Sequence, residues 1–329
     1  MSNEHIKIGV IGVGHLGQHH VKHYKNLKHV DLIGIYDTDY DRALSISDKY
    51  GVKYFKTINN LIDKADALSI VTPTPSHNEI GTLCITNKKH VFIEKPITNT
   101  LEEAENLLKL AKQNNVLIQV GHIERLNPAL LALKPFKIAP KFIEFQRLAP
   151  YTSRGTEVPV VLDKMIHDID ILLSLVKSKV EKIQATGLSI LTDSVDIAHA
   201  RIRFHNGTVA SIMSSRIAKD EIRKIKLFQQ NLYTTIDLLL GLTEVYRVFK
   251  DENELQNDTL IVPFDYKDKK MFISYQKPKL KKLDALKMEL QNFILSIKKQ
   301  ENPIVTGEDG RDALEIALKI QEKIIQDVN

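Results

Sequence analysis

An apolar segment that leads into a glycine-rich turn constrains the fold more than any other feature of the sequence. Residues 6–12, IKIGVIG, are rich in β-branched side chains, as in the buried strands of a parallel sheet. Gly12, Gly14 and Gly17 have the spacing G-x-G-x-x-G, and the following segment, HLGQHHVKHYKNL, has the periodicity of a helix. The sequence therefore predicts a strand, a tight turn and a helix, which together begin a doubly wound α/β domain.

The same segment has the features of a dinucleotide-binding site. The glycines allow the backbone to approach a pyrophosphate, and the amides at the start of the helix bind its charge. We expect His15 and Leu16, which lie between the glycines, to flank the pyrophosphate. The alternative is a glycine-rich turn without a ligand, but the flanking strand and helix favour binding.

The second strand, VDLIGIYD, ends at Asp37, which lies 20 residues beyond Gly17. A carboxylate at this point can accept hydrogen bonds from both adenosine ribose hydroxyls, and it would repel a 2′-phosphate. The sequence therefore favours NAD over NADP as the cofactor. Arg42 is the nearest cation downstream, and it lies too far along the chain to be the first choice as a phosphate partner.

Strands and helices continue to alternate up to residue 121, with strands at DALSIVT, HVFIEK and VLIQVGH. This alternation predicts a doubly wound parallel sheet, in which ligands bind beyond the carboxyl ends of the strands. The cofactor-contacting residues predicted at those ends, besides Asp37, are Thr72, Pro73, His77, Glu94 and Lys95. His77 either approaches the nicotinamide or caps the next helix. Lys95, held between Glu94 and Pro96, points toward the predicted cofactor site.

The carboxyl-terminal half has different periodicities. Residues 159–176 read as a helix on which Asp163 and His167 share a face, because they are four residues apart. Several alternating segments follow, and Asn206-Gly207 between two of them indicates a hairpin. These features predict a largely antiparallel sheet, followed by terminal helices near residues 280–300 and 309–327.

The segments GVIGVGHLGQHH, VTPTPSH, EKP and a later D-x-x-x-H together resemble the Gfo/Idh/MocA oxidoreductase family. The resemblance implies an N-terminal Rossmann domain, residues 1–121, and a C-terminal α/β domain with an open, mostly antiparallel sheet, residues 122–329. It also implies Lys95, Asp163 and His167 as catalytic residues. The chain departs from the family motif in its spacer, Lys164-Met165-Ile166, where a glycine is usual, so Lys164 could alter the local charge.

The stretch VGHIERLNPA resembles a branch of that family that oxidises the 3-hydroxyl of UDP-N-acetylglucosamine. We therefore expect a nucleotide-sugar substrate, with His122, Arg125, Asn127 and Arg147 as its binding residues. Arg125 could pair with a diphosphate or with a nearby acid. The alternatives are a dehydrogenase of a free sugar or an inositol, and a regulator that senses NAD or sugar without chemistry. The resemblance also implies a homodimer or homotetramer.

Composition narrows the function further. The net charge is only +5 and the basic residues are mostly spread along the chain, which argues against a nucleic-acid partner. The single cysteine, Cys84, lies in an apolar stretch, where we expect it to be buried. No apolar run reaches the length of a membrane span, so we expect a cytoplasmic protein without a membrane partner. His15, His19 and His23 have helical spacing but lack further ligands, and no metal is expected.

The one local concentration of basic residues is at residues 267–287, which hold eight lysines. We interpret this segment as a solvated loop. The alternative is a basic flap over the phosphates of a nucleotide sugar.

Overall fold

A computed structural model of the chain describes residues 5–153, 158–251, 260–267, 269–279 and 283–328. The chain divides into two units: one comprises Met1–Ile123 and Asp284–Glu315, and the other comprises Glu124–Leu283 and Ile316–Asn329. The division into domains at residues 121 and 122 stays a prediction. In the lysine-rich segment, Asp268 and residues 280–282 lie outside the described residues.

Within the described part of the first unit, the sheet has five strands in the order β2-β1-β3-β4-β5, and every pair is parallel. The strands are β1 (Ile6–Ile11), β2 (Val30–Tyr36), β3 (Ala67–Ile70), β4 (His90–Glu94) and β5 (Ile118–Gly121). Residues 53–55 extend the sheet beyond β2. The amide of Ile35 donates a hydrogen bond to the carbonyl of Lys53, and the amide of Phe55 donates one to the carbonyl of Ile35. The predicted doubly wound parallel sheet is confirmed, and the strand order reverses between β1 and β3.

The helices that accompany these strands are α1 (Gly17–Tyr24), α2 (Tyr40–Tyr50), α3 (Ile58–Ile62), α4 (His77–Thr86) and α5 (Leu101–Asn114). Side chains cap three of them: Asp39, Thr57 and Thr100 cap α2, α3 and α5. Thr100 and Glu103 form the capping box of α5, in which each side chain accepts a hydrogen bond from the backbone amide of the other residue. Cys84 of α4 is buried as predicted, and burial raises the pKa of its thiol to about 12, so it remains protonated at neutral pH.

The second unit contains a sheet with nine described strands, in the order β13-β14-β12-β11-β10-β6-β9-β8-β7. Among the described pairs, β6 and β9 are parallel and the others are antiparallel, which confirms the mostly antiparallel prediction. The strands are β6 (Phe142–Leu148), β7 (Val180–Leu188), β8 (Ile197–Phe204), β9 (Val209–Ser215), β10 (Ile222–Gln229), β11 (Leu232–Asp237), β12 (Leu242–Phe249), β13 (Leu260–Tyr266) and β14 (Lys269–Gln276). Asn206-Gly207 forms the predicted hairpin turn between β8 and β9, and Gly207 has a φ of 83°.

Short helical segments precede and follow β6. A 3₁₀ turn, Ile123–Leu126, is followed by α6 (Pro128–Leu131). The helix predicted over residues 159–176 has two parts, a π-helical turn at Val161–Met165 and then α7 (Ile166–Leu175). The terminal helices are α8 (Ala285–Ile297) and α9 (Gly307–Val328). The ring of Phe293 in α8 packs 5.8 Å from that of Phe92 in β4, so α8 closes the core beside the parallel sheet.

A buried carboxylate organises the loop between β7 and β8. Asp196 accepts hydrogen bonds from the amides of Ile190, Leu191 and Thr192 at 2.7–3.0 Å and from the Thr192 hydroxyl at 2.7 Å. Burial raises the pKa of Asp196, but these hydrogen bonds outweigh burial and lower its pKa to about 2. The ionised carboxylate is therefore the form that stabilises the loop.

We expect Asp196→Asn to lower the free energy of unfolding at neutral pH by about 1–3 kcal/mol, because buried donors lose an ionised acceptor. The folded pKa lies below the unfolded value, so this contribution is full above about pH 4 and is lost as the pH falls toward 2. Denaturant unfolding at several pH values checks this. The exposed neighbour Asp193 supplies the control, since Asp193→Asn should change little at any pH. A constant difference between wild type and Asp196→Asn across this range would contradict the assignment.

Candidate active site

The glycine turn after β1 is shaped by close backbone contacts. Gly12 has a φ of 84°, and a Cβ there would lie 2.7 Å from the carbonyl oxygen of Val71. A Cβ on Gly17 would lie 2.0 Å from the carbonyl oxygen of Gly12. A Cβ on Gly14 would meet only Arg42 Nη1, at 3.9 Å. Two glycines are therefore required by packing, whereas Gly14 leaves open space where a ligand backbone or pyrophosphate could approach.

Asp37 is held at the end of β2 by the turn itself. Its Oδ2 atom accepts a hydrogen bond from the amide of Val13 at 2.8 Å, and its Oδ1 atom accepts one from the amide of Asp39 at 2.9 Å. Although the side chain is buried, it lines a cavity. A carboxylate has further acceptor positions, so two ribose hydroxyls could still bind here.

Arg42 lies closer to this point than the sequence suggested. Its Nη1 atom is 3.6 Å from Asp37 Oδ2, and its Nη2 atom donates to Asp39 Oδ2 at 2.6 Å. The signal that could have located it is the cap: Asp39 caps α2, and the first turn of that helix brings Arg42 back over the strand end.

A cavity of about 630 Å³ lies along the carboxyl ends of four strands. Eight of the predicted cofactor-binding residues line it: Gly12, Gly14, Leu16, Asp37, Thr72, Pro73, Glu94 and Lys95. They follow β2, β1, β3 and β4, and three strand spacings span about 14 Å. A dinucleotide with its adenosine at Asp37 and its pyrophosphate at Gly14 would therefore have its nicotinamide near Glu94 and Lys95. The residues present fit that cofactor.

His77 is buried and is not among the residues that line this cavity. Its Nδ1 atom lies 2.9 Å from the carbonyl oxygen of Pro96, and its Nε2 atom lies 2.9 Å from that of Thr72. The Lys95–Pro96 peptide bond is cis. Burial lowers the pKa of His77, although both carbonyls favour the protonated form. In this position His77 joins the loops after β3 and β4, which carry Thr72 and Lys95.

The predicted acid and base of the second unit lie on the two-part helix. Asp163 is in the π-helical turn and His167 is in the first turn of α7. π-Helical turns are often found at functional sites. Lys164 Nζ lies 3.3 Å from Asp163 Oδ2, so the unusual spacer does place a positive charge beside this carboxylate.

Two of the predicted substrate-binding residues form buried ion pairs with α7. Arg147 donates to both carboxylate oxygens of Asp168 at 2.8 and 2.9 Å and to Glu124 at 3.0 Å. Arg125 donates to both oxygens of Asp170 at 2.6 and 2.8 Å. For Arg125, the structure shows the nearby acid that the sequence analysis offered as one alternative. These contacts favour a structural role for both arginines.

The other two predicted substrate-binding residues are also engaged or buried. Asn127 caps α6 by accepting a hydrogen bond from the amide of Ala129 at 3.0 Å, and its Nδ2 atom donates to the carbonyl of Leu238 at 3.1 Å. His122 follows β5 and is buried. Of the predicted pyrophosphate contacts, His15 stacks edge-on against His19 at 5.7 Å.

Within the described ranges, no group of three or more His, Cys, Asp or Glu residues is arranged to hold a metal ion. The helices that the structure describes include none that is both long enough and apolar enough to cross a membrane.

A parallel sheet with a glycine turn, a buried acid at the second strand and a cavity along the strand ends define a dinucleotide-binding Rossmann domain. Comparison with known families agrees. Residues 6–122 match the oxidoreductase family GFO_IDH_MocA with its NAD-binding Rossmann fold, and residues 145–229 match a GFO/IDH/MocA C-terminal domain. The chain belongs to the Gfo/Idh/MocA family and is an NAD(P)-dependent dehydrogenase.

Two relatives, one of them with a solved structure, extend over nearly the whole chain. UDP-N-acetylglucosamine 3-dehydrogenase of Acidithiobacillus ferrooxidans is 31% identical over 96% of both chains. Myo-inositol 2-dehydrogenase of Thermotoga maritima is 28% identical over 94% of this chain and 93% of its own. The solved structure of the first enzyme, GnnA, has a TM-score of 0.87 at 30% identity and covers 97% of this chain and 98% of its own.

We expect Arg147→Met to lower the free energy of unfolding by about 3–5 kcal/mol, because Asp168 would remain buried without its partner. Chemical denaturation measures this loss. Arg223 provides a matched control, because it also lies near Glu124, at 3.5 Å, but its side chain is 39% exposed. Arg223→Met should cost less than about 1 kcal/mol. Equal losses in the two variants would contradict an anchoring role for Arg147.

Proposed function

We propose that this protein transfers hydride between the 3-hydroxyl carbon of UDP-N-acetylglucosamine, or a closely similar nucleotide sugar, and NAD. The observation that carries this proposal is the 31% identity to a UDP-N-acetylglucosamine 3-dehydrogenase over 96% of both chains. The TM-score of 0.87 to the solved structure of that enzyme supports it. The resemblance of VGHIERLNPA to the same branch is a further, local support.

We assign the chemistry to Lys95, His167 and Asp163. Bound NAD supplies the hydride acceptor. In the oxidative direction, His167 would take the proton of the substrate hydroxyl, since imidazole is a base near neutral pH. Lys95 would hydrogen-bond the same oxygen as it becomes a carbonyl. Asp163 would hold His167 in the required tautomer.

NAD is the proposed cofactor rather than NADP. A buried carboxylate, Asp37, lines the cavity where the adenosine ribose would bind, and a 2′-phosphate would meet its negative charge. Arg42 is the cation nearest to it, but the guanidinium is already paired with Asp39 at 2.6 Å. The charges at this end of the cavity therefore support NAD.

A second candidate substrate is an inositol. The 28% identity to a myo-inositol 2-dehydrogenase over 94% of this chain favours it, although the identity is lower than to the nucleotide-sugar enzyme. Both substrates present a secondary alcohol, so the same three catalytic residues would serve either reaction.

We also propose that the protein forms a homodimer or homotetramer through the open face of the nine-stranded sheet. Five aromatic residues lie directly opposite one another on neighbouring strands of that face, with ring centroids 4.8–5.9 Å apart: Phe142, Phe228, Tyr233, Tyr246 and Tyr275. Phe142 and Phe228 are 36% and 40% exposed. Such a row of partly exposed rings is typical of a surface that another chain covers.

We expect NADH absorbance to increase when the protein is mixed with NAD⁺ and UDP-N-acetylglucosamine, because the sugar alcohol is then oxidised. The increase should be slower with NADP⁺ and with free N-acetylglucosamine or myo-inositol. Initial rates across this panel of cofactors and substrates provide the measurement. Activity with myo-inositol alone would favour the second candidate, and flat traces with every nucleotide sugar would exclude the first.

We expect Lys95→Ala to lower the rate of hydride transfer by about 10²–10⁴-fold, the usual contribution of a positioned proton-transfer group. NAD⁺ affinity should persist, because the glycine turn and Asp37 are intact. Stopped-flow absorbance measures the hydride step and calorimetry measures the affinity. Lys109→Ala, an exposed change on α5, should alter neither quantity. An unchanged hydride-transfer rate in Lys95→Ala would refute the catalytic assignment.

A further inference from the structure

A buried histidine contacts the carboxylate at the nicotinamide end of the cavity. His20 lies on α1, and its side chain is fully buried. Its Nδ1 atom is 2.9 Å from Ser69 Oγ on β3, and its Nε2 atom is 3.2 Å from Glu94 Oε1 on β4. His20 therefore links the helix of the glycine turn to β4, the strand that ends at Glu94.

Glu94 is held on its other sides as well. A Cβ on Gly121 of β5 would lie 2.8–2.9 Å from both carboxylate oxygens and the carboxylate carbon of Glu94, so only glycine leaves room for them. The backbone amide of Lys95 lies 3.4 Å from Glu94 Oε2. Glu94 nevertheless lines the cavity, and its side chain is 12% exposed. The carboxylate is thus fixed in position while it still faces the cofactor space.

One arrangement of protons is compatible with these contacts without a charge on the imidazole. With the Ser69 hydroxyl donating to Nδ1 of His20, the single N–H of a neutral ring is on Nε2, which lies 3.2 Å from Glu94 Oε1 but is not aligned for a hydrogen bond. The negative charge then remains on Glu94. The ring of Phe92 lies 5.5 Å from that of His20 and the ring of Tyr24 lies 6.3 Å from it, so two aromatic side chains pack against the imidazole.

We propose that His20 is a positioning residue that holds the Glu94 carboxylate at the nicotinamide end of the cavity, where this charge makes the site select NAD⁺ over NADH. The oxidised nicotinamide ring carries a positive charge and the reduced ring does not. A fixed negative charge in a partly water-excluded site therefore stabilises the oxidised form selectively. The inference rests on the proposed function, because it requires NAD in this cavity.

The test is the ratio of the dissociation constants of NADH and NAD⁺, measured on the unliganded protein by fluorescence and calorimetry. Glu94→Gln keeps the shape and removes the charge, and we expect the ratio to fall about fivefold to tenfold. His20→Asn can replace the Nδ1 contact with Ser69 but does not reach Glu94, so the ratio should fall in the same direction. His20→Gln can reach Glu94 and should retain most of the wild-type ratio.

Two further variants make the comparison specific. Gly121→Ala should displace the carboxylate, because the added Cβ would lie 2.8–2.9 Å from it, and lower the ratio as His20→Asn does. His23→Gln, one turn along α1 and not a cavity residue, should leave the ratio unchanged. ADP-ribose, which lacks the nicotinamide, should bind equally to every variant, and melting temperatures check that each variant is folded.

The outcomes separate this inference from the proposed function. If the wild-type protein binds neither ADP-ribose nor NAD⁺, the proposed function fails and this inference fails with it. If the wild type binds both but Glu94→Gln leaves the ratio unchanged, only the charge effect is refuted. If Glu94→Gln lowers the ratio while His20→Asn and His20→Gln both behave as wild type, the positioning role of His20 is refuted.

Discussion

The hydrogen bond from the Val13 amide to Asp37 joins the glycine turn to the end of the second strand. Because Gly12 and Gly17 meet without room for a Cβ between them, the turn has little freedom of its own. The carboxylate of Asp37 is therefore fixed relative to the start of α1. As a result, the end of the cavity that would hold the adenosine is fixed relative to the glycine turn, where the pyrophosphate would bind. Binding a dinucleotide then requires little rearrangement of the backbone, which lowers the entropic cost of binding.

Much of the first unit could be predicted from the sequence because its determinants are local. Residues 6–37 contain all of them: a strand rich in β-branched residues, three spaced glycines and an acid at the end of the next strand. The sequence identified Arg42 as the nearest cation but not its proximity to Asp37, because that position depends on how the Asp39 cap turns the chain back. The return of α8 to the first unit is a contact between distant segments, and no pattern within either segment reveals it.

In the second unit, the sequence located the charged residues but could not assign their partners. Arg147 and Arg125 have the chemistry of phosphate ligands, yet both meet buried aspartates of α7. Asp168 and Asp170 are two residues apart and thus about 200° apart around the helix. Two bidentate ion pairs on nearly opposite sides fix the rotation of α7 about its axis, and they thereby fix the direction in which His167 leaves the helix. Charge alone does not distinguish such an anchor from a ligand-binding group.

The polar residues behind the nicotinamide end are harder to explain by folding alone. A buried imidazole next to a carboxylate carries a desolvation cost that an apolar pair of the same volume would avoid. The hydrophobic core around this pair includes Val10, Val21 and Phe92, whose packing is apolar. A pair of ionisable groups at the edge of a cavity is a candidate for a functional role. The carboxylate of Glu94 is the member of this pair that faces the cavity, so His20 stabilises the site through the carboxylate rather than through the core.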